Sequence, residues 1–316
     1  MKFSNAHDSR SRTTPVLLAA NPLHGLWPHS TPSHPFTFMP DRHGVTPVGR
    51  LTAHFLSDGR FRPPLVVVSE LALAAALAET EACRERGVRL VVVPADSRNG
   101  VSAVLSSIIA GVREEPLVFV PGSLEIQPGR DATSQFHAAA QAASKSGKAV
   151  AFVRKARSSE REICLEAGDR HATGFRQASR ALQPESDAGQ VAAEMGALFA
   201  LAGPVSICAR RFLEIVGQVQ PTLLQGCANA LALGERTGSV IKPHNGYLSL
   251  FTGAGIAEIM AARPETVLLH PAGESMKVIR SWLDLPNEQA YAAGGLRQGK
   301  LDILRGATNI KANVSS

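Results

Sequence analysis

Aromatic residues are scarce in this chain: Phe, Trp and Tyr make up 5% of 316 residues, with two Trp and two Tyr. Proteins that hold single-stranded nucleic acid stack bases on such side chains, so a formal charge of +6 has no stacking platforms to accompany it. The basic residues are also dispersed. Clusters such as Arg84, Arg86 and Arg89, or Arg154, Lys155 and Arg157, sit beside acids or at helix and strand ends, where solvation accounts for them. Nucleic acid is not the expected partner.

Cysteine is sparse as well. Cys83, Cys164, Cys208 and Cys227 are scattered without CxxC spacing, which argues against a zinc site and a disulfide framework and leaves isolated core or near-core thiols. Long apolar runs are missing: the strongest, 65–68 and 90–93, are strand-sized and far short of the roughly 20 residues of a membrane-spanning helix. Lys2, Asp8, Arg10 and Arg12 precede the short apolar run 16–20, so the apolar core of about 7 to 15 residues that marks a secretory signal is lacking. A cytoplasmic location and no membrane partner are expected.

What is present is 44% hydrophobic and 19% charged residues, enough to bury the core of one large domain. From Val16 onward, short β-branched runs alternate with longer alanine-rich amphipathic segments, as in an α/β fold around a largely parallel sheet. Strands are expected over 16–20, 65–69, 90–94, 117–121 and 149–154, with the first, third and fourth adjacent and their C-terminal ends facing one cleft. Helices are expected over 71–86, 101–112 and 133–146, the first and last stopped by Gly87 and Gly147.

After Arg154 the alternation weakens. A short antiparallel insertion over 162–166 and 171–176 precedes helices at 190–195, 210–219 and 221–233, then a helix over 256–263, a strand over 266–270 and a helix containing Trp282. The implied organisation is an N-terminal tail over 1–14, one domain over 15–285 with 155–245 as an insertion forming one wall of a ligand cleft, and a C-terminal tail or packing arm over 286–316.

The opening segment 15–39, PVLLAANPLHGLWPHSTPSHPFTFM, carries the strongest motif. It resembles the mannose-1-phosphate guanylyltransferase family of sugar nucleotidyltransferases, whose first strand runs into G-G-x-G-T-R-L-W-P-L-S and then Y-P-K-Q-F. Leu26, Trp27, Pro28, Ser30, Pro35 and Phe38 match without a gap. Trp27 is expected to be buried as the hydrophobic anchor of the motif. The departures fall on the working residues: Ala20 and Asn21 replace the paired glycines, Leu23 the next glycine, Gly25 the arginine and Phe36 the lysine. Glycines let backbone N–H groups approach phosphate while Arg and Lys neutralise its charge.

Two further stretches carry the resemblance. PADSRNGVSAV over 94–104 is similar to E-P-x-G-R-N-T-A-P-A-I, with Arg98 and Asn99 at matching positions of a loop that in the family helps recognise the base. From the residues alone, Asn99 and Gly100 equally suit a turn into the following helix. LVFVPGSLEI over 117–126 is similar to the strand ending in L-V-L-P-A-D-H-V-I, whose aspartate ligates magnesium; here Ser123 holds that place. A neutral serine supplies no charge for a hard cation, and Glu125 would replace it only if the strand continued. The family's sugar-binding stretches are not recognisable over 158–165 and 175–179. Gly203, Gly273, Ser281 and Trp282 are the remaining scattered matches.

The resemblance, spanning about 15–285, implies a Rossmann-like three-layer nucleotide-diphospho-sugar transferase fold with a mixed, mainly parallel sheet. Residual nucleotide binding would fall on Ala20, Asn21, Arg98 and Asn99, catalytic positions Gly25, Phe36 and Ser123 are degenerate, and Glu125 is a weak metal candidate. No cofactor is called for, except Mg2+ if activity is retained. GTP or a sugar nucleotide, an active paralogue and a homo-oligomer are the partners implied. The expected function is that of a non-catalytic or regulatory homologue in sugar-nucleotide metabolism. The alternatives are a divergent active nucleotidyltransferase drawing on Arg98, Lys155 or Lys277 for phosphate contacts, and a binding protein that recruited the fold. Replacing Ser123 by Asp and Gly25 by Arg together is expected to raise affinity for magnesium nucleotide. His24, His29 and His34 recur every five positions, a spacing without metal-ligand logic, and are read as a solvated loop. No G-x-S-x-G nucleophile elbow occurs.

Overall fold

The computed structural model describes residues 12–21, 23, 25–41, 43–95, 97–111, 116–127, 132–156, 162–248, 255–273, 276–281 and 284–285. Its strands are β1 (Thr14–Leu18), β2 (Leu65–Ser69), β3 (Arg89–Val93), β4 (Pro116–Pro121), β5 (Leu124–Ile126), β6 (Ala149–Lys155), β7 (Cys164–Arg170), β8 (Arg176–Leu182), β9 (Leu198–Cys208), β10 (Glu235–Thr237), β11 (Val240–Lys242), β12 (Val267–Pro271) and β13 (Met276–Val278). Its helices are α1 (Pro47–Leu56), α2 (Leu73–Thr80), α3 (Asn99–Ala110), α4 (Ala132–Ser146), α5 (Asp187–Glu194), α6 (Ala209–Val219), α7 (Pro221–Ala232), α8 (Asn245–Leu248) and α9 (Ile256–Ala261).

Among the described residues eleven strands form one sheet in the order β10-β11-β3-β2-β1-β4-β9-β6-β12-β8-β7. The run β11-β3-β2-β1-β4 is parallel, and β9 enters antiparallel to both β4 and β6. β7 also pairs with the start of β9, so β9, β6, β12, β8 and β7 close on one another. The sheet is mixed, with helices over both faces. Successive residues of one strand point to opposite faces: Val16, Val67, Val91 and Phe119 join the core under α3, α6 and α7, while Leu17, Val66, Val92 and Val120 join the core under α1 and α4. Burial on both faces explains why these strands read as unbroken apolar runs.

Three expectations need correction. β2 lies between β1 and β3, so the strands around 16–20 and 90–94 are not adjacent. Residues 155–245 are not an insertion as a whole: β9 is a central strand of the main sheet, and α6 and α7 bury Phe212, Ile215, Leu223 and Cys227 in the shared core. Within that stretch the β7–β8 and β10–β11 hairpins stand at the two margins of the sheet. Helix α1 is missing from the expected elements although its signals are local. Thr46 accepts a hydrogen bond from the Gly49 amide at 2.9 Å, Pro47 occupies the first turn, and Val48, Leu51, Thr52 and Phe55 form one buried stripe. The helix expected around Trp282 and the terminal tails lie outside the described residues, apart from 12–14.

Among the described residues no helix is long and apolar enough to cross a membrane. The four cysteines are thiols outside any disulfide, with Cys164 and Cys227 buried and Cys83 and Cys208 partly so, as core or near-core thiols should be. Burial pushes the Cys227 thiol up to about 12, so it stays protonated and inert.

Candidate functional site

Beyond the C-terminal ends of β1, β3 and β4 lies a cleft of about 820 Å³, in the position where open α/β sheets receive ligands. The chain reaches it three times from the parallel strands, and from the opposite wall through β9, the start of β7 and the segment after β13.

After β1, Ala20 and Asn21 line the cleft. Asn21 Oδ1 accepts a hydrogen bond from the Leu23 amide at 2.8 Å, and Leu23 has φ +55°, the left-handed conformation that favours glycine. The turn keeps the shape a glycine would give it while a leucine fills it. The chain then descends away from the cleft. Leu26 is fully buried with Phe36, Ile279 and Leu285 in a small separate core, whereas Trp27 is 68% exposed. The expectation that Trp27 anchors the motif is wrong: the anchor is its neighbour Leu26, because the turn over 26–29 presents only one of the two side chains to the core.

Gly25 and Phe36, the degenerate arginine and lysine positions, do not line the cleft. Gly25 bridges to Ser281, and a Cβ placed on it would stand 2.3 Å from the Arg280 carbonyl oxygen. No side chain fits there without moving backbone, so Gly25→Arg would disrupt this contact rather than restore a phosphate ligand. The paired restoration expected from the sequence fails on packing. Phe36, 1% exposed, is a core residue; its successor Thr37 does line the cleft, and the Thr37 Oγ1 has no hydrogen-bond partner among the described residues.

Beyond β3, Ser97, Arg98 and Asn99 line the cleft at the start of α3. Arg98 is held by Glu258 at 2.5 Å, and Asn99 Oδ1 accepts the amide of Ile256 at 2.9 Å, which caps the neighbouring helix α9. Both residues that match the base-recognition loop are thus engaged with the α9 start. The turn reading of Asn99 has a specific content here: its side chain ties two helix starts together.

Beyond β4, the chain turns at Gly122 and Ser123. A Cβ on Gly122 would lie 3.0 Å from that of Ala19, so glycine lets the end of β4 close on β1, where its amide donates to the Leu18 carbonyl at 2.9 Å. Ser123 lines the cleft, 2% exposed. β4 ends before it, and the chain resumes as β5, in which Glu125 lies opposite Lys277 of β13. Glu125 is 9% exposed and does not line the cleft, because the turn at Gly122 breaks the strand whose continuation would have carried it there. Among the described residues no three His, Cys, Asp or Glu side chains gather as a metal site. The donor set around Ser123 does not fit Mg2+, a hard cation that is held by carboxylates.

The opposite wall holds groups that sequence reasoning missed. Glu162, Gln183, Leu201, Gly203 and Arg280 line it. Of these only Gly203 has a counterpart in the family motifs, and nothing local marks Arg280: pairing of β13 with β5, remote in sequence, delivers it. Lys155 and Lys277, the other cations considered for phosphate contacts, are not part of the lining, and Lys277 Nζ donates to the Asp284 carbonyl at 2.5 Å. In the solvated loop, His34 is exposed and His29 half-buried, while His24 lies outside the described residues.

No protein-family model matches the chain, and no curated protein matches it by sequence. Solved structures do. A Thermus thermophilus protein named mannose-1-phosphate geranyltransferase is similar with a TM-score of 0.67 at 15% identity, over 86% of this chain and 77% of its own. A Helicobacter pylori protein named mannose-6-phosphate isomerase gives 0.65 at 16%, over 84% and 99%. A putative glucose-1-phosphate thymidylyltransferase from Bacillus anthracis gives 0.57 at 10%, over 86% and 92%. At such identities the likeness speaks for architecture alone: the chain has the three-layer, mixed-sheet fold of the nucleotide-diphospho-sugar transferases.

Proposed function

We propose that this protein is a sugar-nucleotidyltransferase homologue that binds a nucleotide or sugar nucleotide in the cleft beyond β1, β3 and β4 and does not transfer the nucleotidyl group. It would act as a regulatory subunit or ligand-responsive partner, in sugar-nucleotide metabolism, of an active paralogue or of a second copy of itself. The observation that carries the reading is Ser123, a neutral side chain at the cleft position where the resembled family has its magnesium-binding aspartate.

The chemistry follows from charge. A nucleoside triphosphate brings about four negative charges, and transfer requires cations or dipoles aimed at the charge that develops on phosphorus. In this cleft Arg98 is already neutralised by Glu258 and positions 25 and 36 supply nothing. Asn21, Ser97, Ser102, Ser123 and Gln183 suit hydroxyls and base edges instead. The divergent-enzyme reading draws on Arg98, Lys155 or Lys277; of these only Arg98 lines the cleft, and it is paired with Glu258.

The test is to incubate purified protein with magnesium, GTP and mannose 1-phosphate and to measure pyrophosphate, alongside calorimetric titration with GDP-mannose. Binding without pyrophosphate release is the expected result. Turnover in the ordinary enzyme range, roughly 1 to 1,000 per second, would overturn the proposal.

A further inference from the structure

Among the described residues two cations, Arg98 and Arg280, line the cleft, and they differ in their partners. Arg98 is paired with Glu258. Among the described residues Arg280 has no carboxylate within ion-pair distance of its guanidinium; one of its N–H groups donates to the Leu201 carbonyl at 2.8 Å. A guanidinium carries five N–H donors in a planar fork, so most of that donor set is left for a ligand.

The nearby acid is committed elsewhere. Asp284 Oδ2 accepts from the Arg280 and Ser281 amides at 2.9 and 3.0 Å and from the Ser281 hydroxyl at 3.2 Å. It pins the backbone of the segment and leaves the Arg280 side chain unneutralised. That backbone is the one that fills the space beside Gly25. The position at which the resembled family has a loop arginine is therefore packed against a segment that brings an arginine to the cleft from the other side.

A second polar group points the same way. Phe36 and Ile279 pack together in one small core, and the residues that follow them, Thr37 and Arg280, both line the cleft. Thr37, 2% exposed, has a hydroxyl without a hydrogen-bond partner among the described residues, a cost that a ligand oxygen would remove.

We propose that Arg280 is the phosphate-binding residue of this cleft, standing in for the cation missing at position 25, and that the site favours a ligand with one or two phosphates over a triphosphate. The bias against a triphosphate comes from Glu162. Glu162 lines the same cleft as Leu201, the residue whose carbonyl holds Arg280. A carboxylate on that wall repels a triphosphate and accepts hydrogen bonds from the hydroxyls of a sugar. The inference rests on the reading of the cleft as a site for sugar-nucleotide ligands.

The experiment is calorimetric titration of mannose 1-phosphate, GMP and GTP into the wild type, Arg280→Gln and Arg280→Lys, with thermal midpoints as the folding control. Lys comes nearer the Leu201 carbonyl than Gln, whose amide ends where the Arg Nε lies, so the thermal midpoints measure any cost of that lost bond apart from the loss of binding. Loss of a hydrogen-bonded charge predicts affinity about 10- to 100-fold weaker in the Gln variant for whichever monophosphate the wild type binds, with partial recovery in the Lys variant. The comparison of mannose 1-phosphate with GMP tells whether that phosphate belongs to a sugar or a nucleotide. Equal affinity of wild type and Arg280→Gln overturns this inference alone, as does a wild type that prefers GTP to both monophosphates. A wild type that binds none of the three overturns this inference; the functional reading beneath it falls if GDP-mannose does not bind either.

Discussion

Leu23 holds a backbone conformation that costs an L-residue about 1 to 2 kcal/mol, at φ +55°. Ordinarily glycine is the less stable choice than alanine, because the unfolded chain gains freedom. Here the order should reverse. Leu23→Ala loses contacts in the small core around Leu26 and keeps the strain, whereas Leu23→Gly loses the same contacts and releases it. Urea unfolding is expected to find the Gly variant more stable than the Ala variant by about 1 kcal/mol; the opposite order would mean that the turn relaxes around alanine. The same loop teaches caution about motif residues. Leu26 and Trp27 both match the family signature, yet Leu26 is buried and Trp27 is 68% exposed. A string of matching letters does not say which of two apolar neighbours faces inward.

At the scale of elements, the start of α9 depends on a residue from another helix. The amide of Ile256 is satisfied by Asn99 at the first turn of α3, with the Arg98–Glu258 pair beside it. Asn99→Ala should therefore destabilise the protein by about 1 kcal/mol, the usual worth of a cap, measurable as a lower urea midpoint. Much of this architecture is legible in the sequence. The expected bounds of α3, α4, α6 and α7 fall within about two residues of the observed ends, as is usual for boundaries read from periodicity, because Gly147, Pro221 and the apolar stripes are local signals. The cleft positions of Ala20, Asn21, Arg98, Asn99 and Ser123 follow from the spacing of the motifs the chain shares with the resembled family. What is not legible depends on pairing between distant segments. The place of β9 between β4 and β6, the turn that takes Glu125 out of the cleft, and the delivery of Arg280 by β13 leave no trace in any short window.

For the molecule as a whole, acid sensitivity should begin at one imidazole. His270 lies half-buried on β12, 4.5 Å from the ring of Phe152 and 4.9 Å from that of Phe175. Burial holds its pKa below the ordinary value, opposed by a 2.8 Å hydrogen bond to the Pro271 carbonyl. The unfolded chain takes up a proton near pH 6.5 while the folded one resists it, so this stability is complete above about 6.5 and is lost as pH falls through the folded-state value. Asp58, Glu166 and Glu214 are shifted downward by their arginine partners and act below the ordinary carboxylate range, so the two effects separate. Urea unfolding between pH 8 and 5 is expected to show a decline in the wild type that His270→Phe largely removes; parallel curves would clear His270 of the role. The placement of β9 has a temporal consequence. During synthesis β4 emerges with one edge paired to β1 and the other bare, and β6 follows without either of its eventual neighbours; both wait for residues 198–208, and β6 waits further for β12. Until then the nascent chain carries open strand edges of the kind that recruit other chains, and the ribosome-bound protein has to be shielded across roughly half its length before its sheet can be completed.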